Sequence, residues 1–468
     1  MKTRRGGAVA RVPGSVLALW MLFAGSGVPA EPLTLDEAVA ASREASQAVE
    51  RARLDIAAAV AGRRQARASF GPRVDANAGA AYSTNPPEGI TIATGAFGTV
   101  TDPTSTFPTR VPDRPIVLVP DPDNVGFSAT MGIEQPIFTW GKLTAAQDAA
   151  AAALDASMAR HNESVRELRR SVTLAYAGVA AGRESVPLVE EITGMLESRA
   201  LDAARRLDAG AATRADLLTE EARLATARAQ LVRARQGLLT AESNLRRLLG
   251  RDFGDLAGIE APGDLPPEDD LVEAAHSDDP RLTELRATTR QAEVQLRVAS
   301  ASRPFLPDLG LRVQAEVRGQ RVPFLEANWI DSWDGNVTVS IGASALIYDG
   351  GRNTADVEIA HARYQQALSA VTEYADALPL QVRRAVERYL VAQAAMAEAE
   401  ARAASAREQE RVAQAAFDNE VISRSELTAA RLAVPEARLA TVAARLDMSL
   451  ALADLEYLVG PLSGVSGH

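Results

Sequence analysis

Hydrophobic residues recur at helical spacing between Gly141 and Gly250. In the second half of this stretch a leucine occurs every seventh residue, and the last four of these leucines are each followed three residues later by alanine or leucine. The heptad positions are Leu217, Leu224, Leu231, Leu238 and Leu245, with Ala227, Ala234, Ala241 and Leu248. Five consecutive heptads predict a coiled-coil seam. Residues 142–207 are rich in Ala, Arg and Glu and predict a helix of about 100 Å, at 1.5 Å per residue.

A turn between these two helices is indicated by residues 208–216. Gly210 permits a left-handed backbone conformation. Thr213 is spaced as an N-cap, with Asp216 three residues later in the position of a capping-box acid. We therefore expect the chain to reverse direction here and to return as a second helix.

Alternation of apolar with small or polar residues marks four further runs of about ten residues each. The runs lie within 72–83, 124–137, 307–318 and 335–347. This length fits a tilted transmembrane strand, although strands of soluble sandwiches give the same alternation. The arrangement of the four runs as two hairpins, with no other predicted strand, favours the membrane interpretation.

The chain is internally repeated. Residues 136–142 (PIFTWGK) recur as residues 346–352 (LIYDGGR), at an offset of 210, and the turn residues recur at the same offset. Further upstream, residues 37–72 align with residues 272–307 at an offset of 235. We therefore predict two copies of one structural unit.

The repeat sets the predicted boundaries. The first repeat, 31–250, contains helix 33–68, strands 72–83 and 124–137, an irregular extracellular loop 84–123, long helix 141–207, tip 208–216 and helix 213–250. A linker covers 251–269. The second repeat, 270–459, contains helix 270–302, strands 307–318 and 335–347, loop 319–334, long helix 351–417, tip 418–426 and helix 423–459. Residues 460–468 are expected to form a disordered tail.

Residues 1–30 predict a secretory signal peptide, with a basic start, a short apolar run and a small-residue cleavage site at Val28-Pro-Ala30. The chain contains no cysteine, which excludes disulfides and thiolate metal sites. Its formal net charge of −11 argues against a nucleic acid partner, because phosphate neutralisation needs clustered lysine and arginine. We expect an exported protein that does not bind nucleic acid.

Nothing in the sequence predicts an enzyme or a cofactor site. We find neither a phosphate-binding loop nor a nucleophile elbow. The four histidines, His161, His276, His361 and His468, are not at metal-ligand spacing.

Four transmembrane strands cannot close around a pore, and open strand edges are not tolerated in lipid. The chain is therefore expected to oligomerise. Three copies give twelve strands, whereas two give eight, whose interior is filled by side chains. The aromatic residues Phe138, Trp140 and Tyr348 sit at strand ends, where an aromatic girdle at the membrane surface is expected. Trp329 and Trp333 occupy a similar place in loop 319–334.

Several segments together resemble the TolC-like outer membrane efflux proteins. The resemblance rests on the opening Leu33-Thr-Leu35-x-Glu37-Ala38, the two strand ends 136–142 and 346–352, and the turn Gly210-x-x-Thr213-x-x-Asp216. It implies an α+β membrane protein with two repeats, each containing a transmembrane hairpin and long coiled-coil helices. A homotrimer would form a twelve-stranded β-barrel continued by an α-helical barrel, in the outer membrane of a Gram-negative bacterium and its periplasm.

The resemblance also implies partners and a functional site. The partners are outer-membrane lipid, a periplasmic adaptor protein and an inner-membrane pump of the RND or ABC type. The two turns would form a periplasmic tip that docks the adaptor and carries an acidic gate. Carried over residue by residue, Gly210, Thr213 and Asp216 form the first tip. At the second tip Glu420 replaces the glycine, while Ser423 and Glu426 fit the pattern, and Glu426 is the candidate gate carboxylate.

Two alternatives stay open at the level of sequence. A periplasmic adaptor with a coiled-coil hairpin would need a larger β-rich head than the four short runs supply. A structural coiled coil without a pore leaves the four strands unexplained.

Overall fold

The computed structural model describes residues 32–86, 88–100, 108–119, 123–258, 265–301, 306–320, 329–345 and 347–462. The predicted signal peptide and residues 463–468 lie outside the described residues. The chain divides into two compact units. One contains the described residues up to Val49 with Ser164–Asp279 and those from Leu378 onward, and the other contains Glu50–Glu163 and Pro280–Ala377.

Eight helices and eight strands make up the described part of the chain. The helices are α1 (Leu35–Ala45), α2 (Gln47–Ala68), α3 (Lys142–Asp208), α4 (Arg214–Leu249), α5 (Glu268–Asp278), α6 (Pro280–Ala301), α7 (Arg352–Asp418) and α8 (Arg424–Val459). The strands are β1 (Arg73–Tyr82), β2 (Ile90–Ile92), β3 (Thr99–Val100), β4 (Thr109–Arg110), β5 (Ile116–Val119), β6 (Val125–Phe138), β7 (Asp308–Gly319) and β8 (Trp333–Ser344). A 3-10 turn covers Trp329–Ser332.

Helix lengths are the same in both halves of the chain. Helices α3 and α7 contain 67 residues each, and their first residues, Lys142 and Arg352, keep the offset of the repeated motif. Helices α4 and α8 contain 36 residues each at the same offset. Upstream of the long helices the structure shows two offsets where the internal repeat predicted one. The first residues of β1 and β7 are 235 positions apart, as predicted, whereas those of α1 and α5, and those of α2 and α6, are 233 apart.

The prediction of single helices over 33–68 and 270–302 is wrong in each case. Ser46 has an extended backbone, and its hydroxyl accepts a hydrogen bond from the Val49 amide at 3.4 Å, so α1 ends and α2 begins there. Asp279 is extended because the ring of Pro280 disfavours the helical conformation in the residue before it. Thr34 and Glu37 form a capping box at the start of α1.

Strands β1, β6, β7 and β8 form one antiparallel sheet in that order, so the two predicted hairpins are joined through β6 and β7. The register places apolar side chains in common rows on one face. One such row is Val74, Ile133, Val313 and Val339. The neighbouring row, Arg73, Glu134, Arg312 and Ser340, is polar and belongs to the other face. Alternation therefore separates the two faces of the sheet as predicted.

The segment 84–123 is not simply an irregular loop. Its described residues form two short two-stranded antiparallel sheets, one pairing β2 with β5 and the other pairing β3 with β4. The prolines of this segment lie mostly between these strands or outside the described residues.

A cluster of ten buried residues lies where α1, α3 and α4 meet. Val172, Tyr176 and Leu245 are fully buried there. The prediction of a disordered tail over residues 460–468 is wrong at its start, because Leu462 is buried and its amide donates to the Glu456 carboxylate. Among the described residues, none of the helices is long and apolar enough to cross a membrane.

Candidate functional site

The candidate site is the pair of helical turns at 208–216 and 418–426, and the seam between α3 and α4 supports the first of them. All predicted heptad positions of α4 are buried or half-buried. Leu224 and Ala227 pack with Ile192 and Leu196 of α3 in one buried cluster. Salt bridges flank this seam at intervals of seven residues on each helix, joining Arg228 to Glu197 at 2.7 Å and Arg235 to Glu190 at 2.7 Å. These are the positions that fix pairing and direction in a coiled coil.

The first turn is closed by two consecutive capping motifs. The Gly210 amide donates to the Leu207 carbonyl at 2.9 Å and the Ala211 amide to the Arg206 carbonyl at 2.7 Å, which is the Schellman pattern at the end of α3. Gly210 has φ +70°, the left-handed conformation that this motif requires.

The start of α4 is held by a reciprocal capping box. Asp216 accepts from the Thr213 amide and hydroxyl, both at 2.8 Å, while the Asp216 amide donates to the Thr213 hydroxyl at 3.2 Å. The predicted N-cap at Thr213 is therefore present.

The second turn repeats this geometry without its glycine. The Glu420 amide donates to the Phe417 carbonyl at 2.9 Å and the Val421 amide to the Ala416 carbonyl at 2.8 Å. Glu420 adopts φ +58°, so a residue with a Cβ occupies the left-handed position that Gly210 fills in the first turn. The Glu426 carboxylate accepts from the Ser423 amide at 2.7 Å and hydroxyl at 2.8 Å, which completes a second capping box.

Both turn acids are held in the charged form. Hydrogen bonds from the Thr213 backbone and side chain lower the pKa of the Asp216 carboxyl, and those from Ser423 lower the pKa of Glu426. Both residues are exposed, and both positions lie in the first turn of a helix, where negative charge is favoured. Glu426 therefore has a structural task in the helix cap, which the sequence comparison did not assign to it.

The aromatic residues at the first strand-to-helix junction contact one another. Phe138 and Trp140 pack edge to face with ring centroids 4.8 Å apart. Trp140 has φ +54°, and its indole N–H donates to the Pro307 carbonyl at 3.0 Å, which anchors this left-handed residue. Tyr348 lies at the second junction and is 85 % exposed.

Sequence reasoning missed the charged contact beside this pair. The Lys142 ammonium lies 3.1 and 2.9 Å from the two carboxylate oxygens of Asp308 and so ties the start of α3 to the start of β7. At the second junction Asp349 accepts from the amides of Gly351 and Asn353 and so caps α7. The aspartate of the LIYDGGR motif could have suggested this cap, whereas 166 residues separate Lys142 from Asp308.

A second missed feature fixes the N-terminal segment. The Leu33 amide donates to the Asp255 carbonyl at 2.8 Å, and the Ala257 amide donates to the Leu33 carbonyl at 2.9 Å. The Tyr176 hydroxyl lies 2.6 Å from the Leu33 carbonyl and 2.7 Å from that of Ala257. The predicted linker is thus ordered at its start, and α5 begins within it.

Comparison with known sequences and structures gives a consistent result. The sequence model for "Outer membrane efflux protein" matches residues 39–251 and 271–461. The outer membrane efflux protein BepC of Brucella suis is 27 % identical over 195 residues, which is 41 % of each chain. The alkaline protease secretion protein AprF of Pseudomonas aeruginosa is 25 % identical over 254 residues, or 53 % of this chain and 51 % of AprF. The alignments thus span about half or less of these curated relatives.

Similarity of fold extends further. The CmeC outer membrane channel of Campylobacter jejuni superposes with a TM-score of 0.71, at 15 % identity, over 91 % of this chain and 85 % of CmeC. At this level of identity the likeness concerns the fold alone.

Proposed function

The chain belongs to the outer membrane efflux protein family, and from this premise we propose that three copies assemble into a passive exit duct. The family consists of outer-membrane channels for efflux or secretion rather than enzymes, and they extend into the periplasm. In the proposed assembly the three four-stranded sheets close a barrel of twelve strands. The long helices continue it as an α-helical barrel.

The observation that carries this proposal is the distribution of apolar side chains on the sheet. Val339 and Ile341 of β8 are 65 % and 73 % exposed, and they share a face with the apolar rows of the other three strands. Such a face is costly in water and suited to lipid. The outer strands β1 and β8 supply the edges through which further copies would pair.

Equal helix lengths support the rest of the assembly. The pairs α3 with α7 and α4 with α8 match residue for residue in length. Two equivalent helical hairpins per copy would give six around a threefold axis. This arrangement also accounts for the internal repeat, since each repeat then occupies an equivalent position in the ring.

We assign the tip of the duct to the turns that carry Gly210 and Glu420. Their capping boxes would present rigid helix ends to a periplasmic adaptor, and an inner-membrane pump would deliver the cargo. Val421 at the second turn is 75 % exposed and offers an apolar contact beside the acids. The ionised carboxylates of Asp216 and Glu426 would favour cations at the closed end. Phe138, Trp140 and Tyr348 would lie at the lipid surface.

The deciding experiment is planar-bilayer conductance of the purified, crosslinked oligomer, recorded together with its subunit count. We expect a trimer with a small, cation-preferring and mostly closed conductance. A water-soluble species without conductance would refute the proposal. The matched control is the same preparation carrying Ile341→Arg, which places a charge on the apolar face and should not insert.

A further inference from the structure

The two hairpins of the sheet are paired in equivalent registers. In the first hairpin Arg73 lies opposite Glu134, and in the second Asp308 lies opposite Ser344. Arg73 and Asp308 are 235 residues apart, which is the upstream offset of the repeat. Glu134 and Ser344 are 210 residues apart, which is the offset of the repeated strand-end motif. The same two offsets relate Tyr82 and Val125 to their counterparts at the other end of the hairpins. The two hairpins are thus copies of the same structural unit, because each residue pair at the ends of one has an equivalent pair in the other.

The contact between the two hairpins within the chain is known in the same detail. Strand β6 pairs with β7, and Ala129, Thr130 and Met131 lie opposite Val317, Glu316 and Ala315 respectively. A ring built from copies of this sheet needs one further contact of the same kind, between β8 of one copy and β1 of the next. The two repeats then alternate around the ring, so both contacts should share one geometry.

We propose that β8 pairs antiparallel with β1 of a second copy, with Val339 opposite Tyr82, Ser340 opposite Ala81 and Ile341 opposite Ala80. These pairs follow from the β6–β7 register. Adding the offset of 210 to a residue of β6 gives its counterpart in β8, and subtracting the offset of 235 from a residue of β7 gives its counterpart in β1. The inference rests on the proposed assembly and specifies the surface through which it closes.

The faces of the two strands agree with this register. Val339 and Ile341 belong to the apolar face of β8, and Tyr82 and Ala80 belong to the apolar face of β1. A slip of one residue would bring apolar side chains beside polar ones, because successive residues of a strand point to opposite faces. A slip of two residues preserves the faces, so it is the competing register.

The same offsets show how the two contacts differ at the membrane boundary. Within the chain, Trp140 and Lys142 bind Pro307 and Asp308. Between copies the equivalent positions are Gly350 and Arg352 on one side and Pro72 and Arg73 on the other. Neither the indole hydrogen bond nor the salt bridge can form there. The contact between copies therefore depends on the strand ladder for its register.

Cysteine crosslinking tests the register directly, because the chain has no cysteine of its own. The in-register double variants are Ala80→Cys with Ile341→Cys, on the apolar face, and Ala81→Cys with Ser340→Cys, on the polar face. The off-register controls combine Ile341→Cys with either Ala78→Cys or Tyr82→Cys. Opposed Cα atoms lie about 4.5–5.5 Å apart, within disulfide range, whereas a slip of two residues adds about 6.6 Å along the strand.

Each variant is expressed in outer membranes, oxidised, and resolved on denaturing gels with and without reductant. We expect covalent dimers and trimers at least about fivefold more abundant for the in-register pairs than for the controls. Greater crosslinking of an off-register pair than of the in-register pairs would refute the proposed register. The absence of crosslinks for the in-register pairs, in channels that still conduct after reduction, would refute it as well. In both cases the proposed channel function would stand. Loss of both crosslinks and conductance in every variant, together with a monomeric parent protein, would instead overturn the proposed function.

Discussion

Glu420 offers a sharp test of how the second turn is stabilised. Its φ of +58° places a β-carbon in the left-handed region, which costs about 1–2 kcal/mol relative to glycine. Glycine has its own cost, since it loses more backbone entropy on ordering, by about 0.5–1 kcal/mol. Glu420→Gly should therefore stabilise the closed turn by about 0.5–1 kcal/mol, which corresponds to a factor of about 2–5 in the equilibrium of local opening.

Amide hydrogen exchange at the turn measures this opening. The reporter is the Val421 amide, which donates to the Ala416 carbonyl at 2.8 Å and exchanges only when that bond opens. Exchange should slow by about the same factor of 2–5 in Glu420→Gly, after correction for intrinsic rates. Glu420→Ala keeps the β-carbon and should not slow exchange.

The first turn supplies the reverse experiment. Gly210→Ala introduces a β-carbon at φ +70° and should accelerate exchange of the Ala211 amide, which donates to the Arg206 carbonyl. Faster exchange in Glu420→Gly, or equal exchange in Glu420→Gly and Glu420→Ala, would show that the left-handed backbone is not the source of strain.

Four further outcomes are expected. Ile341→Arg should impair membrane assembly by about 2–4 kcal/mol more than Ser340→Arg, measured as the yield of folded oligomer in outer membranes, and equal yields would refute the assignment of faces. Glu426→Gln keeps a capping side chain but removes its charge, so we expect a change in single-channel cation selectivity, and unchanged selectivity would refute a role as gate charge. Because hydrogen bonds from Ser423 lower the pKa of Glu426, the stability that this carboxylate gives the second turn is present above pH 4.5 and is lost as pH falls through the lowered pKa. Amide hydrogen exchange at the turn, measured across that pH range, will detect the loss. Tyr176→Phe should destabilise the surrounding cluster by about 1–2 kcal/mol, read as increased proteolysis. Tyr389→Phe is the comparison, because the buried Tyr389 hydroxyl has no hydrogen-bond partner among the described residues.

Features set by local periodicity could be predicted from the sequence. The leucines spaced seven residues apart, among them Leu224 and Leu245, predicted the α3–α4 seam, because burial on one helix face requires that period. The capping box of Thr213 and Asp216 could also be predicted, because both residues lie within one helical turn and their spacing alone indicates the motif.

The errors have physical causes of two kinds. Ser46 and Asp279 break helices that otherwise have favourable composition, and only the second could have been inferred, from the proline that follows it. The Lys142–Asp308 contact joins residues far apart in the chain, so the fold must be known first. The role of Glu426 in its cap is a local feature that the sequence does contain, because Ser423 lies three positions before it, as Thr213 does before Asp216.

Lys142 has a practical consequence that its place in the junction does not suggest. Apart from Lys2 it is the only lysine in the sequence, and Lys2 belongs to the predicted signal peptide. Once that peptide is removed, the exported protein would carry one side-chain amine per copy, held by Asp308 where strand becomes helix. An amine-reactive dye would label that side chain without any mutation, and peptide mapping would separate it from the labelled α-amino group of the chain. The reaction rate at Lys142 would report how often the salt bridge opens, so the native chain contains its own probe of movement at the junction between β6 and α3.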